Sequence, residues 1–145
     1  MAPRLPTTST PPAANSGTAE SLRLAIVADT HGQLRPEVLE RLAGVDAILH
    51  AGDVGSPDVL ARLRALAPVF AVRGNVDTGE LAALPDTATG DLGGISYGLV
   101  HRREDVPSDW GRRLDLVIFG HSHRPEIEWR GGALWLNPGS CGPRR

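Results

Sequence analysis

Leu22-Arg23-Leu24-Ala25-Ile26-Val27-Ala28 runs directly into Asp29-Thr30-His31, and the fold turns on how this stretch is read. The run is short and apolar with one early charge, the pattern of a parallel strand buried on both faces. Downstream, Pro36 sits at the tolerated first turn of a helix whose apolar face is Val38, Leu39 and Leu42, and Gly44 ends it. Asp46 to Ala51 reads as a second strand entering Gly52-Asp53. Ser56-Pro57 then starts a second helix with Val59, Leu60, Leu63 and Leu66 inward. Val69 to Val72 is a third strand, entering Gly74-Asn75-Val76-Asp77. Strand, helix, strand, helix, strand predicts right-handed βαβ units and a parallel sheet.

After Leu84-Pro85 the rhythm changes. Thr87 to Leu92 and Ile95 to Val100, joined by Gly93-Gly94, predict an antiparallel hairpin. Arg102 to Arg113 is polar loop with at most one helical turn around Trp110, and Leu114 to Phe119 is another buried strand. Glu126 to Trp129 and Ala133 to Leu136, linked by Arg130-Gly131-Gly132, form a second hairpin. No internal repeat is present. The architecture is mixed, a parallel α/β half followed by strand-rich sequence, which implies two packed sheets with helices outside.

At 145 residues the chain suits one domain. Residues 1–20 differ from the rest: they are rich in Pro, Thr, Ser and Ala, with too little apolar surface to offset ordering, and read as a disordered arm before a domain spanning 21–145. The arm has no apolar core of a secretory signal, and no run approaches transmembrane length. Cys141 is the only cysteine, which excludes an intramolecular disulfide and fits a reducing, cytoplasmic setting. A formal charge of −2 argues against a nucleic-acid-binding surface. The pairs Arg102-Arg103, Arg112-Arg113 and Arg144-Arg145 read as solvated charges.

Metal-grade side chains close these strands in series. Asp29 and His31 stand two apart, and in extended chain that spacing puts both side chains on one face, converging on one ion. Gly52-Asp53 adds a carboxylate with two oxygens, able to bridge two cations, beside a glycine that permits close backbone approach. Gly74-Asn75 offers a neutral amide oxygen, and His101 closes the strand from Ile95. Gly120-His121-Ser122-His123 is the most specific piece, because two of only five histidines stand two apart after a buried strand. Taken singly, each has a plainer reading: a helix-capping or turn Asp, an Asn in a left-handed turn, a hydrogen-bonded His. The order carries the argument. His50, inside its strand, reads as a satisfied structural histidine.

The ordered series Asp29-x-His31, Gly52-Asp53, Gly74-Asn75, His101, Gly120-His121-x-His123 resembles the calcineurin-like metallophosphoesterase superfamily, and within it the small single-domain bacterial and archaeal phosphodiesterases. Asn137-Pro138-Gly139-Ser140 matches a further turn of that subfamily, so the resemblance runs from Leu22 to the end of the chain. It implies an α/β (α+β) fold, a four-layered αββα sandwich of two mixed β-sheets flanked by helices. It also implies two divalent ions, Mn first, with Fe, Ni, Co or Zn able to occupy the same O/N ligand set. Asp29, His31 and His123 would hold one ion, Asn75, His101 and His121 the other, with Asp53 shared. Asp53, Asn75 and His101 would also count as catalytic. The implied reaction is hydrolysis of a small phosphodiester, phosphomonoesters being the second substrate class, by a hydroxide bridging the ions.

Three departures from the family pattern matter. Val76 stands where many members carry a histidine thought to protonate the leaving group, so no general acid is evident; Asp77 and Arg102 are the first suspects if one exists. Arg102 replaces a common glycine and is a candidate contact to the substrate phosphate, against a plainer solvent-facing reading. The family usually continues past its Asn-Pro-Gly-Ser turn into closing strands, whereas this chain stops at Arg145. The expectation is therefore that C-terminal strands are missing, that the strand of Leu134, Trp135 and Leu136 is left unpaired, and that its sheet is uncovered. The rivals to catalysis are a binding scaffold, like the retromer subunit that resembles these enzymes, and an inactive fragment. All seven ligand positions are filled, which favours catalysis by a monomer or homodimer.

Overall fold

The computed structural model describes residues 22–142. The arm over 1–20 lies outside the described residues. Strands β1 (Leu24–Val27), β2 (Ala47–His50) and β3 (Val69–Ala71) alternate with helices α1 (Pro36–Leu42) and α2 (Pro57–Arg64), as the apolar periodicity predicts. Helix α2 starts where the Ser56 hydroxyl accepts from the Asp58 N–H at 3.2 Å, with Pro57 in the first turn. The helix carries Asp58 at its N-terminal end and Arg62 and Arg64 at its C-terminal end, matching its dipole.

β1, β2 and β3 form one sheet in that order, with Ile26 opposite Leu49 and Leu49 opposite Phe70. The second half adds β4 (Thr87–Leu92), β5 (Ile95–Val100), β6 (Leu116–Ile118), β7 (Glu126–Arg130) and β8 (Ala133–Asn137), with a single-turn helix α3 (Trp110–Arg113) before β6. These strands form a second sheet in the order β4-β5-β6-β8-β7. Both of its hairpins turn through paired glycines with positive φ, 60° and 88° at Gly93-Gly94 and 60° and 94° at Gly131-Gly132. That is the backbone a two-residue hairpin turn needs.

Helices α1 and α2 cover the outer face of the first sheet, with Leu42, Val59, Leu60 and Leu63 packed on Val27 and Ile48. Ala28, Leu49, Ala51 and Val72 meet Tyr97, Leu99 and Ile118 between the sheets. Trp110 and Leu114 cover the far face of the second sheet over Val117 and Phe119. The result is the four-layered αββα sandwich. Of the two sheets expected to be mixed, only the five-stranded one is; the three-stranded one is wholly parallel, because helical crossovers join all its strands.

The expectation for the last strand needs correction. β8 is an interior strand, paired in parallel with β6 and antiparallel with β7, because the second hairpin folds β7 onto its free side. What stays uncovered is the inner face beyond β1. Ile127 and Trp129 pair with Leu136 and Leu134 there and stand 73% and 69% exposed. Among the described residues no helix is long and apolar enough to cross a membrane.

Candidate metal centre

The site is built where the strands of both sheets end. Beyond β1 and β2 the two chains keep running together: Asp29 N–H donates to the Gly52 carbonyl and His31 N–H to the Asp53 carbonyl, both at 2.9 Å. Across the sandwich, Gly120 N–H donates to the His101 carbonyl at 2.9 Å, so the loops after β5 and β6 are also tied. Two glycines let these loops approach. A Cβ at Gly52, whose φ is 102°, would stand 2.7 Å from His101 Nδ1, and one at Gly74 would overlap the Asp53 amide nitrogen and Oδ1.

Five non-glycine residues among those described have φ in the left-handed region: Asp29 (56°), His31 (49°), Asp53 (57°), His121 (75°) and His123 (65°). All five are predicted ligands. Asp and His tolerate this region better than most residues, yet it costs on the order of 1–3 kcal/mol each. This also corrects the geometric reason for Asp29 and His31. They converge because both turn left-handed after β1 has ended at Val27, not because they alternate on an extended strand.

The donors gather in two triads, Asp29 with His31 and His123, and Asp53 with His101 and His121, each with its ligand atoms mutually within 4.8 Å. In the first, His31 Nε2 lies 3.3 Å from His123 Nε2, and His123 Nε2 lies 3.7 Å from Asp29 Oδ1. In the second, His101 Nε2 lies 3.2 Å from Asp53 Oδ2. That same Oδ2 is 3.4 Å from His31 Nε2, so one carboxylate oxygen faces both triads. Ligands bound at about 2.0–2.2 Å to a common ion stand roughly 3–3.5 Å apart, and the donor set fits that spacing. The tautomer fits as well. His101 Nδ1–H donates to the Ala51 carbonyl at 2.8 Å, which turns the Nε2 lone pair into the triad.

The two carboxylates differ in charge. Burial pushes Asp29 up to about 6, with the Asp53 charge adding to it against the opposing pull of His101. Burial acts on Asp53 in the same direction, but the His101 ring and the Val76 N–H, 3.0 Å away, outweigh it and hold Asp53 down at about 2. Reciprocally, Asp53 and the Ala51 carbonyl raise His101 above its ordinary value despite its burial.

Asn75 stands on the loop beside the two triads. Its side chain is exposed, and the backbone on both sides of it touches Asp53, through Gly74 and through the Val76 N–H. Arg102 extends along the surface to Asp105, at 3.4 Å, and Glu104, at 3.9 Å. His50 is fully buried; it accepts from Gly52 N–H at Nδ1, 3.1 Å, and meets the Thr30 hydroxyl at Nε2, 3.0 Å. Burial lowers His50 to about 4, so it stays neutral. Asp77, buried, accepts the N–H groups of Val54, Gly55 and Gly74 at 3.2, 2.9 and 2.8 Å. It thereby pins the Asp53 loop to the Asn75 loop, a role its Gly-Asn-x-Asp position did not announce.

The sequence profile of the calcineurin-like phosphoesterase superfamily domain matches residues 22–145. The chain belongs to that superfamily. It is 33% identical over 131 residues to a protein of Methanothermobacter thermautotrophicus described as "Probable metallophosphoesterase", covering 81% of this chain and 76% of that one. Among solved structures it resembles a predicted phosphoesterase of Streptococcus pneumoniae TIGR4, with a TM-score of 0.67 and 28% identity, covering 88% of this chain and 78% of the other. It also resembles the wild-type Vps29 protein of Entamoeba histolytica complexed with zinc, with a TM-score of 0.71 and 26% identity, covering 82% and 74%. A predicted phosphoesterase and a Vps29 protein thus share this fold, and the two triads give the chain a candidate site for divalent metal.

Proposed function

We propose that the chain is a phosphodiesterase that works with two divalent ions, Mn²⁺ foremost, on small diesters with good leaving groups. The observation that carries this reading is the single Asp53 oxygen 3.4 Å from His31 Nε2 and 3.2 Å from His101 Nε2, one acceptor shared by two donor triads. When bound, a divalent pair supplies positive charge against the phosphoryl oxygens and makes water acidic enough to react near neutral pH. The protein's own part is to hold donors in place. Asp29 and Asp53 provide the negative charge, His101 is fixed by Ala51, and Asn75 stands exposed beside Asp53 where a neutral amide can meet a substrate oxygen.

Among the described residues, neither Val76 nor Asp77 supplies an acid to these groups. Val76 is 43% exposed, and Asp77 is turned onto three backbone N–H groups. The rate should therefore fall steeply as leaving-group pKa rises, from nitrophenolate to simple alkoxides. A second reading, a metal-holding binding scaffold, draws support from the likeness to Vps29. One assay separates the two. Hydrolysis of bis-p-nitrophenyl phosphate that appears with Mn²⁺ and stops with EDTA supports the enzyme; tight Mn²⁺ binding with no turnover supports the scaffold.

A further inference from the structure

We infer that Asn137 is a positioning residue, which sets the His121-Ser122-His123 loop at the angle both triads require; this rests on the two-ion reading above. Asn137 ends β8, is 1% exposed and ligates nothing itself. Its side-chain amide donates to the Gly120 carbonyl at 3.1 Å and to the Ser122 hydroxyl at 3.2 Å, and its Oδ1 accepts from Gly139 N–H at 2.9 Å. The loop it grips is the one that sends His121 into one triad and His123 into the other, each with positive φ. A left-handed histidine pair reverts readily to ordinary backbone unless its surroundings over-determine it. Asn137 is the buried group that grips the loop from below.

The turn that follows completes the clamp. Ser140 hydroxyl donates to the Asp29 carbonyl at 3.1 Å, and Cys141 N–H donates to the Ala28 carbonyl at 3.0 Å. A Cβ at Gly142 would overlap the Thr30 carbonyl, so the chain lies directly against the first ligand loop. Residues 137–142 thus join the first and last ligand loops, whose donors His31 and His123 must meet 3.3 Å apart. The Asn-Pro-Gly-Ser turn, which the ligand map leaves without a task, acts as the seam of the site.

The test compares wild type with Asn137→Leu, Ser122→Ala and Ser96→Ala. Ser96 makes a comparable hydrogen bond, to Asp115 at 3.1 Å, at the other end of the same sheet. Each protein is melted in EDTA, titrated with Mn²⁺ by calorimetry and examined by electron paramagnetic resonance for a spin-coupled Mn pair. Expected are lowered melts in both Asn137→Leu and Ser96→Ala, the larger drop in Asn137→Leu, which unmakes the three hydrogen bonds of a buried side chain. Mn²⁺ affinity should fall roughly 10–100-fold, with the coupled signal lost, only in Asn137→Leu. Ser122→Ala, which removes one of the two donations, should show a smaller loss in the same direction and serves if Asn137→Leu does not fold. Wild-type affinity in the variant that folds, or an equal loss in Ser96→Ala, overturns the positioning role. A wild type that binds the Mn pair but hydrolyses nothing overturns the enzyme reading alone; one that binds no pair overturns both.

Discussion

The two donor triads sit side by side yet differ in construction. In the triad of Asp53, His101 and His121, the His101 side chain is 6% exposed, fixed through Nδ1, and faces a carboxylate ionised well below neutral pH. In the triad of Asp29, His31 and His123, the His31 side chain is 26% exposed, and burial brings Asp29 close to protonation, at about 6. The Asp29 carboxylate is not adrift, since both its oxygens accept from the His121 N–H, at 3.1 and 3.3 Å. The Asp53 triad has an ionised carboxylate and a fixed His101 before any ion arrives; the Asp29 triad must order the partly exposed His31 and hold a buried charge. Preorganisation therefore favours filling the Asp53 triad first.

The largest effect should come from the residue the triads share. Asp53→Asn removes the charge that faces both, and diester hydrolysis with Mn²⁺ should fall roughly 10³-fold or more. Wild-type turnover by this variant at limiting Mn²⁺ would dissolve the comparison, because the triads would then not share an oxygen.

A sharper cut comes from single ligands. His101→Ala should abolish the tighter Mn²⁺ site, whereas His31→Ala should leave one tight ion and weaken only the second. The affinity losses should reach at least the roughly 10–100-fold that outer-shell partners alone command. Calorimetric titration of both variants reads this directly, and equal losses would mean that the triads are equivalent.

The smallest effect concerns the protein without ions. Asp29's pKa is raised in the fold, so ionising it opposes folding: stability present at low pH is lost as pH rises from about 4 to about 6. Asp53's is depressed, so it stabilises the fold above its unfolded value and loses that contribution as pH falls toward about 2. In EDTA at pH 7.5, Asp29→Asn should raise the melting temperature and Asp53→Asn should lower it, each through a stability change on the order of 1–3 kcal/mol. Both asparagines tolerate the left-handed backbone at these positions, so strain should not confuse the signs. Melts shifted in the same direction would refute the electrostatic contrast.

Much of this site was legible in the chain. Most strands from Leu24 to Asn137 are marked by an apolar run, the hairpin strands Thr87–Leu92 and Glu126–Arg130 by the paired glycines that follow them, and the six Asp and His residues proposed as ligands gather in the two triads. Asn75 is exposed and the Arg102 side chain is 40% exposed, and a solvent-facing polar residue carries no packing signal to say which way it points. His50 is the satisfied structural histidine its place inside a strand implies, whereas the clamping contacts of Asp77 and Asn137 are not legible in the sequence. Asp77 reaches the Val54 and Gly55 N–H groups and Asn137 the Gly120 carbonyl, all more than 15 residues away, and sequence spacing does not encode such contacts.

By itself the sequence determined the order of elements, the parallel-then-antiparallel rhythm and the identity of the donors, because periodicity and residue chemistry are local properties. Only the tertiary structure decided how closely the two donor groups approach, which oxygen of Asp53 faces both, and that β8 lies inside its sheet rather than at an edge. It also decided that the five ligands with left-handed backbone could be held there. Their strain is a local cost, and it is offset by hydrogen bonds from loops that meet only once both sheets have packed.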